Sequence, residues 1–192
     1  MLSKLIKLKE MIKTHTDEAI IEYIDTLIKH EEEQERVKLN KNNRSLNGYN
    51  AAMKVLKNKH IKNRPVLQTA HQYADGKITF TDSIQAYLLN DNRYNLPLGD
   101  GVNYPDMTPI FETRFMYESV ELPSVTDLKV AIKKKENLFV GKALVDPNLL
   151  LNAYAILGDN LTGYYGSKLR PIKLVNKNNE IGMVLPLKQT EE

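Results

Sequence analysis

Apolar residues along this chain fall into two rhythms, and the rhythms predict the elements. Between residues 17 and 36, Ile20, Ile21, Ile24, Leu27 and Ile28 recur at helical spacing and make one apolar stripe. Thr14 or Thr16 can cap that helix, with Asp17 and Glu18 in the favourable first turn. Residues 2–13 read as a shorter helix before it. The two predict a helical hairpin over residues 1–36, with the main domain following over residues 37–192.

"RVKLN" reads as a short strand, and "RSLNGYNAAMKVLKNK" as a helix capped by Ser45 or Asn47, with Leu46, Tyr49, Met53 and Leu56 expected inside. A period of two then takes over. In "RPVLQTAHQYADGKITFTDS", Asp75-Gly76 suggests a type I′ turn. Ile78 and Phe80 alternate with Lys77, Thr79 and Thr81, predicting a strand with one buried and one wet face. "IQAYLL" continues as a further strand.

Residues 90–123, rich in Asn, Pro and Gly, read as irregular. "SVTDLKVAIKKKE" has the pattern of a short amphipathic helix, and "FVGKALV" that of one strand. "DPNLLLNAYAILGD" is clearly punctuated as a helix: Asp146 at the N-cap, Pro147 in the first turn, Gly158 past the end. Strand "LTGYY" and hairpin "RPIKLVNKNNEIGMVLPL" close the chain, with Ile181, Met183, Leu185 and Leu187 alternating. Residues 37–89 and 139–187 thus share one order, strand–helix–strand–strand–strand. Two such units could pair edge to edge with both helices on one side, an α+β arrangement.

Composition adds exclusions. The chain has 192 residues, 42% of them hydrophobic, and no cysteine. Disulfides, thiol nucleophiles and Cys-ligated metals are excluded. No stretch approaches the roughly 20 apolar residues of a membrane span. Lysines interrupt "MLSKLIKLKEMIK", which does not read as a signal peptide. A cytoplasmic location is expected, bacterial or, for a virus-encoded protein, that of the host.

The net charge of +3 hides an uneven distribution. Residues 1–36 carry 6 basic and 9 acidic side chains, whereas residues 37–74 carry 8 basic and none acidic. Such a block is either an anion-binding surface or a solvated lysine-rich face. Its candidate contacts are Lys54, Lys57, Lys59, Lys62 and Arg64. No catalytic constellation is visible. His15, His30, His60 and His71 are scattered without metal-ligand spacing. "GDG" lacks the EF-hand pattern, and "GDNLTGYYG" lacks the Gly-Lys-Ser/Thr ending of a phosphate loop. Asp82 has no second carboxylate or His at a telling distance. No enzymatic activity, cofactor or metal is expected.

Four stretches resemble the DNA sliding clamps of the bacterial type. "NRPVLQTAHQYADGKITFTDS" is similar to the clamp sequence Arg-Pro-Val/Ile-Leu, strand, Asp-Gly-Lys, strand, Thr-Asp-Ser/Gly. "NYPDMTPIF" resembles a Tyr/Phe-Pro-Asp segment, "VDPNLLLNAYAILGD" the last clamp helix, and "SKLRPIKLVNKNNEIGMVLPLK" the C-terminal hairpin. The resemblance spans roughly residues 37–188. It implies a clamp-like domain of two strand–helix–three-strand units and a replication accessory role. The partners implied are duplex DNA, bound without regard to sequence, and polymerases or other clamp-binding proteins. A partner-peptide pocket would involve Thr81, Asp82, Ile84, Met183, Val184, Leu185 and Pro186.

The chain departs from the clamps in three ways. Ile84-Gln85-Ala86 stands where clamps have His-Arg-Leu. There is material for one domain, so a closed ring would need several copies, and a homo-oligomer is one expectation. The helix "DPNLLLNAYAILGD" has no Lys or Arg where clamps line their hole with basic helices. The other reading is a non-enzymatic interaction protein that keeps the clamp fold, binding replication proteins or self-assembling without holding DNA.

Overall fold

The computed structural model describes residues 47–101, 103–112 and 118–188. The expected helical hairpin over residues 1–36, the strand at "RVKLN" and the burial of Leu46 lie outside the described residues.

Residues 47–56 form helix α1. Its inward face is made of small residues: Ala51 and Ala52 are buried with Val55 and Leu56, while Tyr49 is 38% exposed and Met53 half-buried. This corrects the expected inside set. Small side chains let the helix lie close to its support, and a Cβ on Gly48 would stand only 2.6 Å from Cζ of Tyr94. Two 3-10 turns follow, Lys59–Ile61 and Pro65–Gln68.

Strands β1 (His71–Gln72), β2 (Ile78–Thr81) and β3 (Gln85–Leu89) pair as an antiparallel meander. The β1–β2 turn is not type I′. Of the pair Asp75-Gly76, only Gly76 has positive φ, at 86°. Tyr73 O accepts from Gly76 N at 3.0 Å, and Lys77 O accepts from Tyr73 N at 2.8 Å. Ala74 and Asp75 are therefore the central turn residues, with Gly76 in the left-handed bulge position after them. Asp75 instead accepts from Lys77 N through its side chain.

β2 has no wet face. Ile78, Thr79, Phe80 and Thr81 are all buried. The segment read as irregular explains this. It contains helix α2 (Thr108–Phe111) and strand β4 (Glu118–Val120). Met107 and Phe111 cluster with Ala86 and Met183, joined by Tyr104, Leu88 and Ile181, over the second face of the sheet. Tyr104 OH reaches Thr79 O at 3.4 Å.

Helix α3 (Val125–Lys134) starts in a capping box between Ser124 and Asp127. "FVGKALV" is a hairpin rather than one strand: Gly141, at φ 60°, reverses the chain between β5 (Leu138–Val140) and β6 (Ala143–Val145). Helix α4 (Pro147–Leu157) forms as its punctuation predicts, with the Asp146 side chain accepting from Asn148 N. Strands β7 (Leu161–Tyr165), β8 (Ile172–Asn176) and β9 (Ile181–Val184) complete the fold.

The architecture is α+β. Among the described residues, seven strands form one antiparallel sheet in the order β1-β2-β3-β9-β8-β7-β4, and β5-β6 stand apart as a small second sheet. At the centre, β3 pairs with β9, Gln85 opposite Val184 and Leu88 opposite Ile181. Phe80, Tyr87, Leu174 and Val184 point to one face, where α1, α3 and α4 complete the main core. α4 lies against β8, β9 and α3. Gly182 permits the approach: a Cβ there would meet Leu157 at 2.9 Å and the Tyr87 ring at 3.2 Å.

Candidate functional site

Lys54, Lys57, Lys59, Lys62 and Arg64 are all exposed at the end of α1 and in the turns after it. Three of them share a concavity. Lys57, Lys59 and Lys62 edge a groove of about 470 Å³ whose apolar wall is Met53, Leu56 and Pro97. Gln68 fixes the far side by donating to Lys62 O at 3.1 Å. Arg64 reaches away from the groove and donates to Ser83 Oγ at 3.4 Å. The described lysines of the acid-free block therefore gather at the exit from α1, and no carboxylate is among the described residues that line the groove.

The seven residues expected at a partner-peptide pocket also come together, because β3 and β9 are neighbours. Gln85 pairs with Val184, and Leu185 N donates to Ile84 O at 2.8 Å. Their exposure divides them. Thr81, Asp82, Met183 and Val184 are buried, whereas Ile84 and Pro186 are half-exposed and Leu185 is 38% exposed. β9 stops before Leu185, so the expected alternation does not run on to Leu187. Beyond that point the chain crosses over, and Leu187 N donates to Leu144 O of β6.

Thr81-Asp82-Ser83 is an internally bonded turn. Thr81 Oγ1 donates to Gln85 O at 2.8 Å and accepts from Ser83 N at 3.0 Å. Asp82 Oδ1 accepts from Ile84 N and Gln85 N at 3.0 and 2.9 Å. Its Oδ2 accepts from Asn58 Nδ2 at 2.6 Å and Gln85 Nε2 at 3.0 Å. Gln85 in turn accepts from Tyr87 OH at 2.9 Å. Burial and the nearby Asp82 push the Tyr87 hydroxyl well above its ordinary pKa. The polar end of β2 therefore ties the β2–β3 turn to Asn58, just past α1. Every acceptor position on Asp82 is occupied from within.

A second buried carboxylate was missed by reading the sequence. Glu180, 1% exposed, ion-pairs with Arg93 and accepts from Asn176 Nδ2 at 2.7 Å and Asn90 N at 3.2 Å. Burial opposes both charges, but the hydrogen bonds between them prevail. Glu180 is held below its ordinary pKa and Arg93 above its own. The sequence signal was faint: "NKNNE" and "NDNR" are Asn-rich turns in which a charge partner is not obvious.

Among the described residues, no group of three or more His, Asp or Glu is arranged to hold a metal ion, and no helix is long and apolar enough to cross a membrane. Comparison with family models, curated proteins and solved structures gives no match.

Proposed function

We propose that the chain is a clamp-like replication accessory protein that associates with duplex DNA through the lysine-rich exit of α1, and with polymerases or other clamp-binding proteins. One observation carries the reading: the strand order at the centre of the sheet. In each half a helix precedes three meandering strands, and the last strands of the halves, β3 and β9, pair edge to edge. This supports part of what the clamp resemblance implies, a helix and three strands in each unit with α1 and α4 on one face of the sheet, whereas "FVGKALV", the expected first strand of the second unit, stands in the separate β5-β6 sheet. Lys54 on α1 and Lys57 just past it are exposed, whereas Ala51, Ala52 and Val55 of the same helix are buried. Ile84, Leu185 and Pro186 are the exposed part of the candidate peptide surface.

Lysines on a helix facing a duplex meet phosphates rather than base edges, so binding is expected to ignore sequence. Each phosphate contact adds about −0.9 to the log–log slope of affinity against salt. The test is a salt titration of mixed-sequence duplex binding by the full chain and by Lys54→Gln/Lys57→Gln/Lys62→Gln. The variant should bind more weakly with a shallower slope. Equal affinity and slope in the two proteins would make this block a solvated face. A non-enzymatic interaction protein with a clamp fold would then be the better reading.

A further inference from the structure

In the sequence, α4 is a gap in any basic surface, because Pro147–Leu157 contains no charged residue. The fold places a different helix beside it. α3 packs on α4, buries Leu128 in the core that α1 also joins, and buries Ala131 as well. Its other sides carry Lys129, Lys133 and Lys134, with Lys135 at the C-cap. All four are exposed, and none has an ion-pair partner among the described residues. The carboxylate of its first turn, Asp127, is engaged with Ser124.

The positions of the three helices follow from their anchors. Asn58, just past the end of α1, holds the β2–β3 turn. α3 begins after Leu122, which packs on Gly163 of β7, and Pro123 O accepts from Tyr154 OH of α4. Tyr94 links α1 to α4, lying against Gly48 and donating to Ile156 O at 2.7 Å. α4 therefore contacts α3 and is tied to α1 through Tyr94, and all three helices contribute to the core on one face of the sheet.

Lysines in a last turn also complement the helix dipole, which accounts for Lys133 and Lys134 without a ligand. That does not account for Lys129, which lies one full turn before Lys133 in mid-helix. We infer that the exposed side of α3 is a second phosphate-contacting surface, so that duplex nucleic acid is gripped at α1 and at α3 across the uncharged α4. This inference rests on the reading of duplex DNA as partner.

The experiment compares four full-length proteins on the same mixed-sequence duplex: wild type, Lys129→Gln/Lys133→Gln/Lys134→Gln, the α1 variant described above, and the α3 lysines changed to Arg. The α3 Gln variant should give a salt slope shallower by about 1 to 3, roughly one for each phosphate it no longer neutralises. Its thermal melting should be unchanged, and the Arg variant should restore the slope. An α3 Gln variant with the wild-type slope, beside an α1 variant with a shallower one, would overturn the α3 surface and leave the DNA reading intact. A wild type that does not bind duplex at all would overturn both.

Discussion

Asp82 and Glu180 occupy matching places, each in the turn that leads into one of the two strands paired at the centre of the sheet, and they are stabilised differently. Asp82 takes four hydrogen bonds from neutral donors, three of them within its own turn. Glu180 takes a guanidinium as well, and Arg93 and Asn90 come from the loop after β3. A buried carboxyl needs either several hydrogen bonds or a countercharge, and the two sites show one solution each. The neutral site fixes a local turn and its link to α1. The charged site joins the first half of the sheet to the second, since Arg93 also donates to Ile156 O of α4.

The sharpest way to break this comparison is to remove the countercharge. Arg93→Ala leaves Glu180 buried with only the neutral donors Asn176 Nδ2 and Asn90 N. Stranding a buried charge costs about 3–5 kcal/mol, and the low end is expected because the Arg93 side chain is 32% exposed. Urea denaturation measures it. The acid limb should respond too. With Arg93 present, the folded pKa of Glu180 lies below its ordinary value of 4.5. Its contribution is therefore present above the unfolded pKa and lost as pH falls through the folded one. Without Arg93, burial dominates and raises that pKa, so protonation relieves the stranded charge and the cost of the substitution should be largest near neutral pH and shrink as pH falls. A loss under about 1 kcal/mol that does not change with pH would mean water already serves Glu180.

A smaller effect is expected at the neutral site. Asp82→Asn keeps an oxygen for the backbone donors but turns an amide NH₂ toward Asn58 or Gln85. Orphaning such a buried donor costs about 2 kcal/mol. A double-mutant cycle with Asn58→Ala separates the tie to α1 from the local turn, and the two changes should be less than additive. Strict additivity would remove Asn58 from the account. The smallest change is Tyr87→Phe. The ring, stacked 5.2 Å from Phe80, is kept, and only the bond to Gln85 Oε1 is removed. About 1 kcal/mol is expected from chemical denaturation. A neutral result would show that Gln85 finds another donor.

The elements legible in the sequence were those with strong local punctuation. Asp146, Pro147 and Gly158 bracket α4, and the alternation that begins at Ile181 and Met183 marks β9. The elements misread were those whose surroundings come from elsewhere in the chain. Thr79 and Thr81 look like a wet face, yet Tyr104, Met107 and Phe111 arrive from the Asn- and Pro-rich stretch to cover that face. Tyr49 looks like a core residue, but Ala51 and Ala52 set the helix so close that its bulkier neighbour is turned outward. At the candidate sites, the lysine cluster was readable because a missing charge type needs no partner to be seen. The ion pair of Arg93 with Glu180 was not, because nothing local connects residues so distant in the chain.

The central pairing of β3 with β9 has a consequence for synthesis. β3 emerges from the ribosome with one edge already matched by β2, but its other partner lies about 100 residues further along, on the order of 5–20 s at ordinary translation rates. Until β9 arrives, Gln85–Leu89 presents an apolar edge with unpaired amides and carbonyls, the kind of edge that other chains can join. The nascent first half is thus the stage most in need of a chaperone, and a C-terminal truncation before Ile181 should leave a product that aggregates rather than a smaller folded domain.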